Sequence, residues 1–432
     1  AGGERTRLAM IKLWLEPVNP VHITRLSIEP DVDNSCFKLQ VNATGDSEAT
    51  ADIRLSDPDG NTVASLQGVA TGTPCTLPVN APELWSPEHP YLYDLNIKPS
   101  SEGQQNDTVN SNSGTRTIEV KNVDGTPRIF LNDTQIFQMG PLDQGWWPAG
   151  LYTAPSDEAL LFDIKAMKEL GFNMIRKHIK VEPSRWYMHC DLEGILVWQD
   201  LPSPNLPAGH EAFARQNFEE EAVRIIDAFE NHPSIVQWVV FNEGWGQFDT
   251  ERMTQVVIDK VSPQSLVCCA SGWNDAEIGD ITDSHSYPYP SCPIDKKRAC
   301  VNGEYGGITL KVPGHIWPGG DFGYTTVETP EDFTAMFNDL ADKIKDHYYY
   351  GLNAAVYTKL SDVEIEKNGI YTYDRRILKP YSPTGELKDK ILECINMPQS
   401  DVKIQPVVST AKEHKYKWKF ITEDNAPRHW FS

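Results

Sequence analysis

The stretch SIVQWVVFNEGWG, residues 234–246, joins an apolar run to an abrupt polar end. Residues 235–241 are almost continuously apolar, which is typical of a strand in a parallel sheet covered on both faces. Asn242 and Glu243 follow at once. Because parallel barrels carry their chemistry at the carboxyl ends of the strands, this stretch predicts a barrel strand with Glu243 as a candidate catalytic carboxylate.

A second glutamate occupies the same kind of position. Residues 299–302 form another short run predicted to be a strand, and Glu304 follows it after Gly303. Cleavage of a glycosidic bond uses two carboxyl groups, one that protonates the leaving oxygen and one that acts as nucleophile or activates water. Glu243 and Glu304 are therefore predicted to be such a pair, although the sequence cannot give the distance between them.

Predicted strands alternate with predicted helices through residues 125–397. The strands are predicted at residues 135–139, 172–176, 195–198, 235–241, 266–270, 279–285, 299–302 and 354–357. Ser156 is placed to cap one helix, and residues 329–332 resemble a capping box at the start of another. Eight strand-helix alternations predict a (β/α)8 TIM barrel, with Glu243 after the fourth strand and Glu304 after the seventh.

The region before the barrel has a different periodicity. Between residues 21 and 124 apolar and polar residues alternate, as at Phe37, Leu39 and Val41, with turn-forming residues between the runs. This pattern predicts an immunoglobulin-like β-sandwich, for which structural support is favoured over an independent sugar-binding role. Residues 1–20 are predicted to be a linker. Residues 398–432 are predicted to be a tail, in which residues 416–420 resemble the first strand of a further β-domain.

Composition excludes several classes of function. The 432 residues include 61 acidic and 39 basic side chains, a net charge of -22 that opposes binding to nucleic acid or an anionic membrane and favours a neutral substrate. No apolar run reaches the length of a membrane span, and residues 1–10 lack the apolar core of a signal peptide. The eight cysteines show no zinc-like spacing, so neither a metal nor another cofactor is predicted. Localisation and oligomeric state are not predicted.

The two glutamate motifs together resemble glycoside hydrolase family 2, the retaining β-glycosidases that include β-galactosidases, β-glucuronidases and β-mannosidases. The motifs are Asn242-Glu243 and Asn302-Gly303-Glu304-Tyr305-Gly306, and the resemblance covers roughly residues 14–395. It implies that Glu243 is the general acid/base and Glu304 the nucleophile of a double displacement through a glycosyl-enzyme intermediate, most simply in a β-galactosidase-type enzyme. It also implies a jelly-roll domain before the sandwich, which we expect to be missing, with residues 13–17 resembling the join.

The resemblance implies roles for further side chains. Asn242 corresponds to a donor to the sugar 2-hydroxyl, Arg176 to an electrostatic support of the nucleophile, and Tyr287 to a tyrosine that hydrogen-bonds it. His178 and Asp200 occupy strand ends that line family pockets. For Arg176 the alternative is a structural ion pair, since a charge entering a barrel mouth needs a partner in any case.

Histidines and tryptophans leave alternatives open. His178 and His285 either contact substrate or are buried and hydrogen-bonded, and neither has sequence neighbours at metal-ligand spacing. Trp245 either contacts sugar or packs as a local lid, and the same alternatives apply to four other tryptophans. Those four are Trp146, Trp147, Trp273 and Trp317.

The predicted eighth strand departs from the family pattern. Several family members place a tryptophan near this strand, whereas this chain has Tyr357-Thr358-Lys359, so the sugar is not named. For Asp362, Glu364 and Glu366 a solvated acidic loop is favoured over contacts to substrate hydroxyls or a cation. The alternative function is a non-catalytic carbohydrate-binding or scaffold fragment of such an enzyme.

Overall fold

The computed structural model describes residues 18–44, 48–101, 104–105, 108–203, 211–261 and 263–398. The predicted join at residues 13–17 and the predicted tail strand near residues 416–420 lie outside them. The strands are β1 (His22–Asp31), β2 (Cys36–Thr44), β3 (Thr50–Ser56), β4 (Thr62–Ala70), β5 (Cys75–Pro78), β6 (Tyr93–Ser101), β7 (Gln104–Gln105), β8 (Val109–Ser113), β9 (Ile118–Val123), β10 (Thr126–Leu131), β11 (Thr134–Gln135), β12 (Gln138–Asp143), β13 (Met174–Lys177), β14 (Leu196–Asp200), β15 (Ile235–Asn242), β16 (Leu266–Ser271), β17 (Ile281–His285), β18 (Ala299–Gly306), β19 (Ile308–Thr309), β20 (Thr325–Thr326) and β21 (Leu352–Thr358). The helices are α1 (Asp157–Glu169), α2 (Ser184–Glu193), α3 (Glu211–Phe229), α4 (Thr250–Val261), α5 (Pro330–Tyr348) and α6 (Glu386–Ile395).

The amino-terminal β-domain consists of two antiparallel sheets. One sheet has the order β1-β2-β5, and the other has the order β4-β3-β6, with β7 and β8 also paired to β6. Alternate side chains point inward, so Phe37 and Leu39 of β2 pack with Ile53 of β3 and Leu95 of β6 in one buried core. The alternation read from the sequence thus identifies the inner faces, and the predicted sandwich followed by a barrel is confirmed.

A third small sheet covers the end of the barrel at which the parallel strands begin. Its order is β11-β10-β9, and Ile118 and Ile129 from it pack into the barrel interior with Leu142, Trp198 and Val236. Apolar side chains therefore seal the end of the barrel at which the strands begin, which leaves the opposite end for a site.

Eight parallel strands form the barrel in the order β12-β13-β14-β15-β16, with β21, β18 and β17 continuing from the other edge of β12. The ring closes between β16 and β17, where the Asp280 backbone N–H donates to the Val267 carbonyl over 2.8 Å and the Asp280 side chain accepts from the Val267 N–H over 2.9 Å. The TIM barrel predicted from the sequence is confirmed. Its first strand begins at Gln138 rather than at residue 135, because residues 134–135 pair with β10 instead.

Six described helices surround the barrel rather than the eight that regular alternation predicts. Ser156 caps α1 by accepting the Ala159 N–H over 3.2 Å, and Thr329 caps α5 by accepting the Asp332 N–H over 3.1 Å. In the described chain, however, no helix follows β16 or β17. These two connections, residues 272–280 and 286–298, are short and carry helix-breaking glycine or proline, so they return from the mouth to the start of the next strand as loops. None of the described helices combines the length and apolarity needed to cross a bilayer.

Candidate active site

Glu243 lies at the first residue after β15, the fourth barrel strand. Its backbone has a positive φ of 53°, and its N–H donates to the Ser271 carbonyl of β16 over 2.8 Å. A non-glycine residue in the left-handed region costs conformational energy, so its surroundings must hold it there. The carboxylate lies with Oε1 2.6 Å from Nδ1 of His285 and Oε2 3.4 Å from Nε1 of Trp245.

Glu304 lies inside β18, the seventh barrel strand, and is buried. Its Oε2 accepts a hydrogen bond from the Tyr287 hydroxyl over 2.5 Å, and its Oε1 lies 3.4 Å from Nη1 of Arg176. The Tyr287 hydroxyl is also 2.9 Å from Oγ1 of Thr358 at the end of β21, the eighth strand. Hydrogen bonds to an ionised carboxylate are short and strong, so this arrangement stabilises Glu304 as an anion.

Arg176, from the second strand, joins the two halves of the site. Its guanidinium is fully buried and bonds Asp200 through Nε at 3.1 Å and Nη2 at 3.0 Å. Nη2 also donates to Oδ1 of Asn242 over 2.8 Å, and Nη1 donates to the Gly303 carbonyl over 3.0 Å. Because Arg176 occupies the amide oxygen of Asn242, the amide nitrogen of that side chain remains as a donor.

The two glutamates face each other across the mouth. A carboxylate oxygen of Glu243 and one of Glu304 lie within 4.8 Å of each other and of a ring nitrogen of His285. Retaining glycosidases separate their carboxyl groups by about 5 to 5.5 Å, whereas inverting enzymes leave about 6.5 to 9.5 Å for a water molecule. The separation here matches the shorter class.

His285 lies between the two carboxylates and continues a chain of hydrogen bonds behind Glu243. Its Nε2 is 2.7 Å from Oγ of Ser271, and Ser271 donates its proton to Asp283 over 2.5 Å. Ser271 must therefore accept from Nε2–H, and one proton remains to be held between Nδ1 and Glu243. Burial opposes the cationic ring, but the charge of Glu304, the hydrogen bond to Glu243 and the charge of Asp283 together raise the pKa of His285 above its ordinary value.

The electrostatics of Glu304 favour its ionised form. Burial by itself would raise the pKa of Glu304, but the charges of His285, His178 and Arg176 and the hydrogen bond from Tyr287 outweigh it. The pKa of Glu304 is therefore held below its ordinary value. A carboxylate that stays ionised near neutrality is suited to act as a nucleophile.

The same cluster contains the ligand atoms that a metal site would need. His285 has two carboxylates within 4.8 Å, because strands distant in sequence bring them together, although its sequence neighbours show no metal-ligand spacing. Nδ1 of His285 already bonds Glu243, and the Arg176 guanidinium lies 3.4 Å from Glu304. A cation bound there would have to compete with this permanent positive charge.

Every other predicted site residue also lies at this mouth. His178 bonds Asp200 through Nδ1 at 2.9 Å, and its side chain is 10% exposed. The supporting side chains Ser271, Asp283 and Thr358 were not predicted as site residues, because their roles depend on contacts between separate strands. Nor was Tyr324, whose ring stacks on Tyr287 with centroids 3.6 Å apart.

The acidic loop after β21 differs from the solvated loop expected. Asp362 is buried and forms an ion pair of 2.5 Å with Lys379, so it is neither solvated nor free for a ligand. Glu366 pairs with the buried Lys359, which also donates to Oε1 of Gln144 over 2.7 Å. Glu364 is exposed, as expected.

The five tryptophans fall into two groups. Trp147 is buried beneath the Arg375 guanidinium, and Trp146 and Trp317 pack edge-on against Tyr152 and Tyr373. Trp245 and Trp273 are exposed beside Glu243 and His285. The second group therefore has exposed indoles beside Glu243 and its partner His285.

A parallel eight-stranded barrel with paired glutamates at the ends of its fourth and seventh strands has the architecture of a barrel glycoside hydrolase. Two protein-family models match the chain. The family model described as Glycosyl hydrolases family 2, TIM barrel domain, matches residues 154–391. The family model described as Glycosyl hydrolases family 2 matches residues 21–116. The chain therefore belongs to glycosyl hydrolase family 2.

Named relatives agree with this family. A β-galactosidase of Clostridium acetobutylicum is 24% identical over 88% of this chain and 47% of its own length. A putative β-glucuronidase of Formosa agariphila is 28% identical over 56% of this chain and 30% of its own length. The chain thus spans less than half the length of these two relatives.

Solved structures share the fold. The β-glucuronidase from Ruminococcus gnavus in complex with D-glucuronic acid superposes with a TM-score of 0.70 at 18% identity, over 86% of this chain and 68% of that one. An FMN-binding β-glucuronidase from Facaelibacterium prausnitzii L2-6 gives a TM-score of 0.68 at 19% identity, over 86% and 61% of the two chains. At such identities the likeness extends to the fold alone.

Proposed function

We propose that this chain carries the catalytic site of a retaining glycoside hydrolase that removes terminal β-linked sugars. The observation that supports this most directly is the pair of strand-end glutamates with carboxylate oxygens within 4.8 Å of each other. This spacing leaves room for a sugar carbon between the carboxyl groups but not for the additional water of an inverting mechanism. Glu304 is the proposed nucleophile, and Glu243 the proposed acid/base.

The first step forms a glycosyl-enzyme. A carboxylate oxygen of Glu304 attacks the anomeric carbon, and the bond from that carbon to the leaving oxygen breaks. The proton held between Glu243 and His285 passes from Glu243 to the leaving oxygen. Arg176 and Tyr287 keep Glu304 ionised before the attack, and the Asn242 amide nitrogen is placed to donate to the 2-hydroxyl.

The second step releases the sugar. A water molecule attacks the anomeric carbon while Glu243 takes one of its protons, and the bond to Glu304 breaks with its electron pair returning to the carboxylate. Two inversions at the same carbon return the original β configuration. His285, tied through Ser271 to Asp283, holds the carboxyl of Glu243 in position for both proton transfers.

A neutral β-galactoside is the proposed substrate type. A uronic acid carries a carboxylate that needs a cation, and the described cations of the mouth already have acidic partners. Arg176 pairs with Asp200 and Glu304, and Lys359 pairs with Glu366. The second candidate is a β-glucuronide, because a relative and the structural neighbours carry β-glucuronidase names.

Hydrolysis of a panel of aryl β-glycosides tests this proposal. The panel includes the galactoside, glucuronide, mannoside, glucoside and galactofuranoside, each assayed with the wild type, Glu304→Gln and Glu364→Gln. We expect turnover of the galactoside, loss of it in Glu304→Gln, and activity within about twofold of wild type in Glu364→Gln, whose side chain is exposed on a nearby loop.

Each contrary result has a defined meaning. Turnover of the glucuronide alone would overturn the neutral substrate but keep the mechanism. Equal activity in wild type and Glu304→Gln would overturn the nucleophile. Sugar binding without turnover by a folded sample would favour the non-catalytic alternative.

A further inference from the structure

Two exposed indoles flank the Glu243 side of the site. Trp245 is 60% exposed and approaches Oε2 of Glu243 to 3.4 Å through its ring nitrogen. Trp273 is 47% exposed, and its ring centroid lies 6.1 Å from that of His285, the partner of Glu243. Tryptophan buries a large area when it finds a partner, so exposure of two indoles beside a carboxylate marks a surface suited to a flat ligand.

The loops that carry these indoles are held against each other. Gln247 donates to the Asn274 carbonyl over 2.9 Å, which links the loop after β15 to the loop after β16. Gly244 has a φ of +76°, and a Cβ on it would lie 2.1 Å from the amide nitrogen of Asn274. The positive φ favours glycine at residue 244, and the hydrogen bond together with this close approach holds the two loops that carry the indoles against each other.

The opposite side of the site is closed by different residues. Tyr324 stacks on Tyr287, which bonds Glu304, and Thr358 bonds Tyr287 from behind. A sugar that reacts with Glu304 must therefore lie between this wall and Glu243. The group that leaves receives its proton from Glu243, so it lies beyond that carboxyl, toward Trp245 and Trp273.

From this placement we propose that Trp245 and Trp273 form the binding site for the leaving group, and that they take a sugar ring or an aromatic ring by stacking. The inference rests on the proposed function, since it uses Glu243 as the acid. It assigns the two indoles to the leaving group rather than to the sugar that is transferred to Glu304. Ring-bearing leaving groups should thus be preferred over small ones.

The test compares the 4-nitrophenyl and methyl β-glycosides of the sugar that the panel shows to be hydrolysed, expected to be galactose, because the two substrates share the transferred sugar and differ in the leaving group. The ratio of kcat/KM for the aryl substrate to that for the methyl substrate is measured in wild type, Trp245→Ala, Trp273→Ala and Trp245→Phe. Tyr350→Ala is the matched control, because Tyr350 is 55% exposed but precedes β21, at the sealed end of the barrel. We expect each tryptophan-to-alanine change to lower the ratio about five- to tenfold, Trp245→Phe to retain most of it, and the control to leave it unchanged.

The direction of the change separates this site from damage to the acid. Methanol is a poor leaving group that depends on protonation more than nitrophenol does, so a weakened Glu243 would raise the ratio instead of lowering it. A raised or unchanged ratio in both alanine variants would overturn the leaving-group site while leaving the proposed function intact. Absence of Glu304-dependent turnover in wild type across the whole glycoside panel would overturn both.

Discussion

The two glutamates of the mouth have the same chemistry but opposite surroundings. The side chain of Glu304 is 8% exposed and lies between a guanidinium and a tyrosine hydroxyl. That of Glu243 is 19% exposed and lies between an imidazole and an indole. The hydrogen-bond partners of Glu304 carry a fixed charge or donate to an anion, whereas the main hydrogen-bond partner of Glu243 is His285, a titratable ring whose charge acts on both carboxylates.

This difference is what a double displacement requires. A nucleophile must stay ionised, so a permanent cation and a strong donor suit it. An acid/base must exchange a proton twice in each cycle, so a titratable partner and access to water suit it. The hydrogen-bond partners of these two chemically identical side chains thus favour the proposed nucleophile role for Glu304 and the proposed acid/base role for Glu243.

The largest effect is expected from removing Glu304. Glu304→Ala should lower kcat by at least about 10⁴-fold, because it removes the proposed nucleophile. Azide fits the space left and should react directly, which gives a glycosyl azide of inverted configuration. The product is identified by NMR, and a product of retained configuration would assign the nucleophile's role elsewhere.

Removing Glu243 should have a smaller effect that depends on the leaving group. Glu243→Ala should lower kcat/KM by about 10²- to 10⁴-fold for a leaving group that needs protonation, and much less for dinitrophenol. Azide should now attack the glycosyl-enzyme and give a product of retained configuration. Equal losses for both kinds of leaving group would contradict the assignment of Glu243 as acid.

Tyr287→Phe tests the contribution of the hydrogen bond from Tyr287 to Glu304. A hydrogen bond to a charged group contributes about 1.5 to 3 kcal/mol, so kcat/KM should fall about 10- to 100-fold. This bond helps to lower the pKa of Glu304, so its loss raises that pKa and moves the acid limb of the pH profile to higher pH. Tyr289→Phe, an exposed neighbour, is the control and should behave as wild type. An unmoved acid limb would contradict the account.

His285→Asn should give the smallest loss but should change both limbs of the pH profile. The His285 charge lowers the pKa of Glu304, so its removal should move the acid limb to higher pH. The raised pKa of His285 keeps the proton that it shares with Glu243 bound to higher pH. Without the imidazole this proton should be lost at lower pH, so the alkaline limb should move to lower pH. The profile should narrow from both sides, whereas His189→Asn, on α2, should leave its width unchanged. A profile that shifts as a whole without narrowing would argue against a shared proton.

The sequence predicts the barrel and the positions of both glutamates because these depend on local patterns. A continuous apolar run predicts a buried strand, and the residue after it lies at the mouth whatever the rest of the chain does. The nine predicted site residues all lie at that mouth, although their roles stay predictions.

What the sequence could not predict depends on contacts between distant segments. The bond from Ser271 to Asp283 arises where the ring closes between β16 and β17, and that from Tyr287 to Thr358 joins the loop after β17 to the end of β21. A helix is expected after every strand in a regular alternation, so the pattern does not predict the short loops that follow β16 and β17. Asp362 was expected in solvent because its burial depends on Lys379, which is 17 residues away.

The division of roles between Glu304 and Glu243 is tested by identifying the residue that forms the covalent bond to the sugar. The wild type is incubated with 2,4-dinitrophenyl 2-deoxy-2-fluoro-β-galactoside, whose fluorine slows release of the glycosyl-enzyme, and the labelled peptide is sequenced by mass spectrometry. We expect one fluorosugar on Glu304 and none on Glu243. A label on Glu243, or turnover of the galactoside without any covalent label, would contradict the division of roles between the two glutamates.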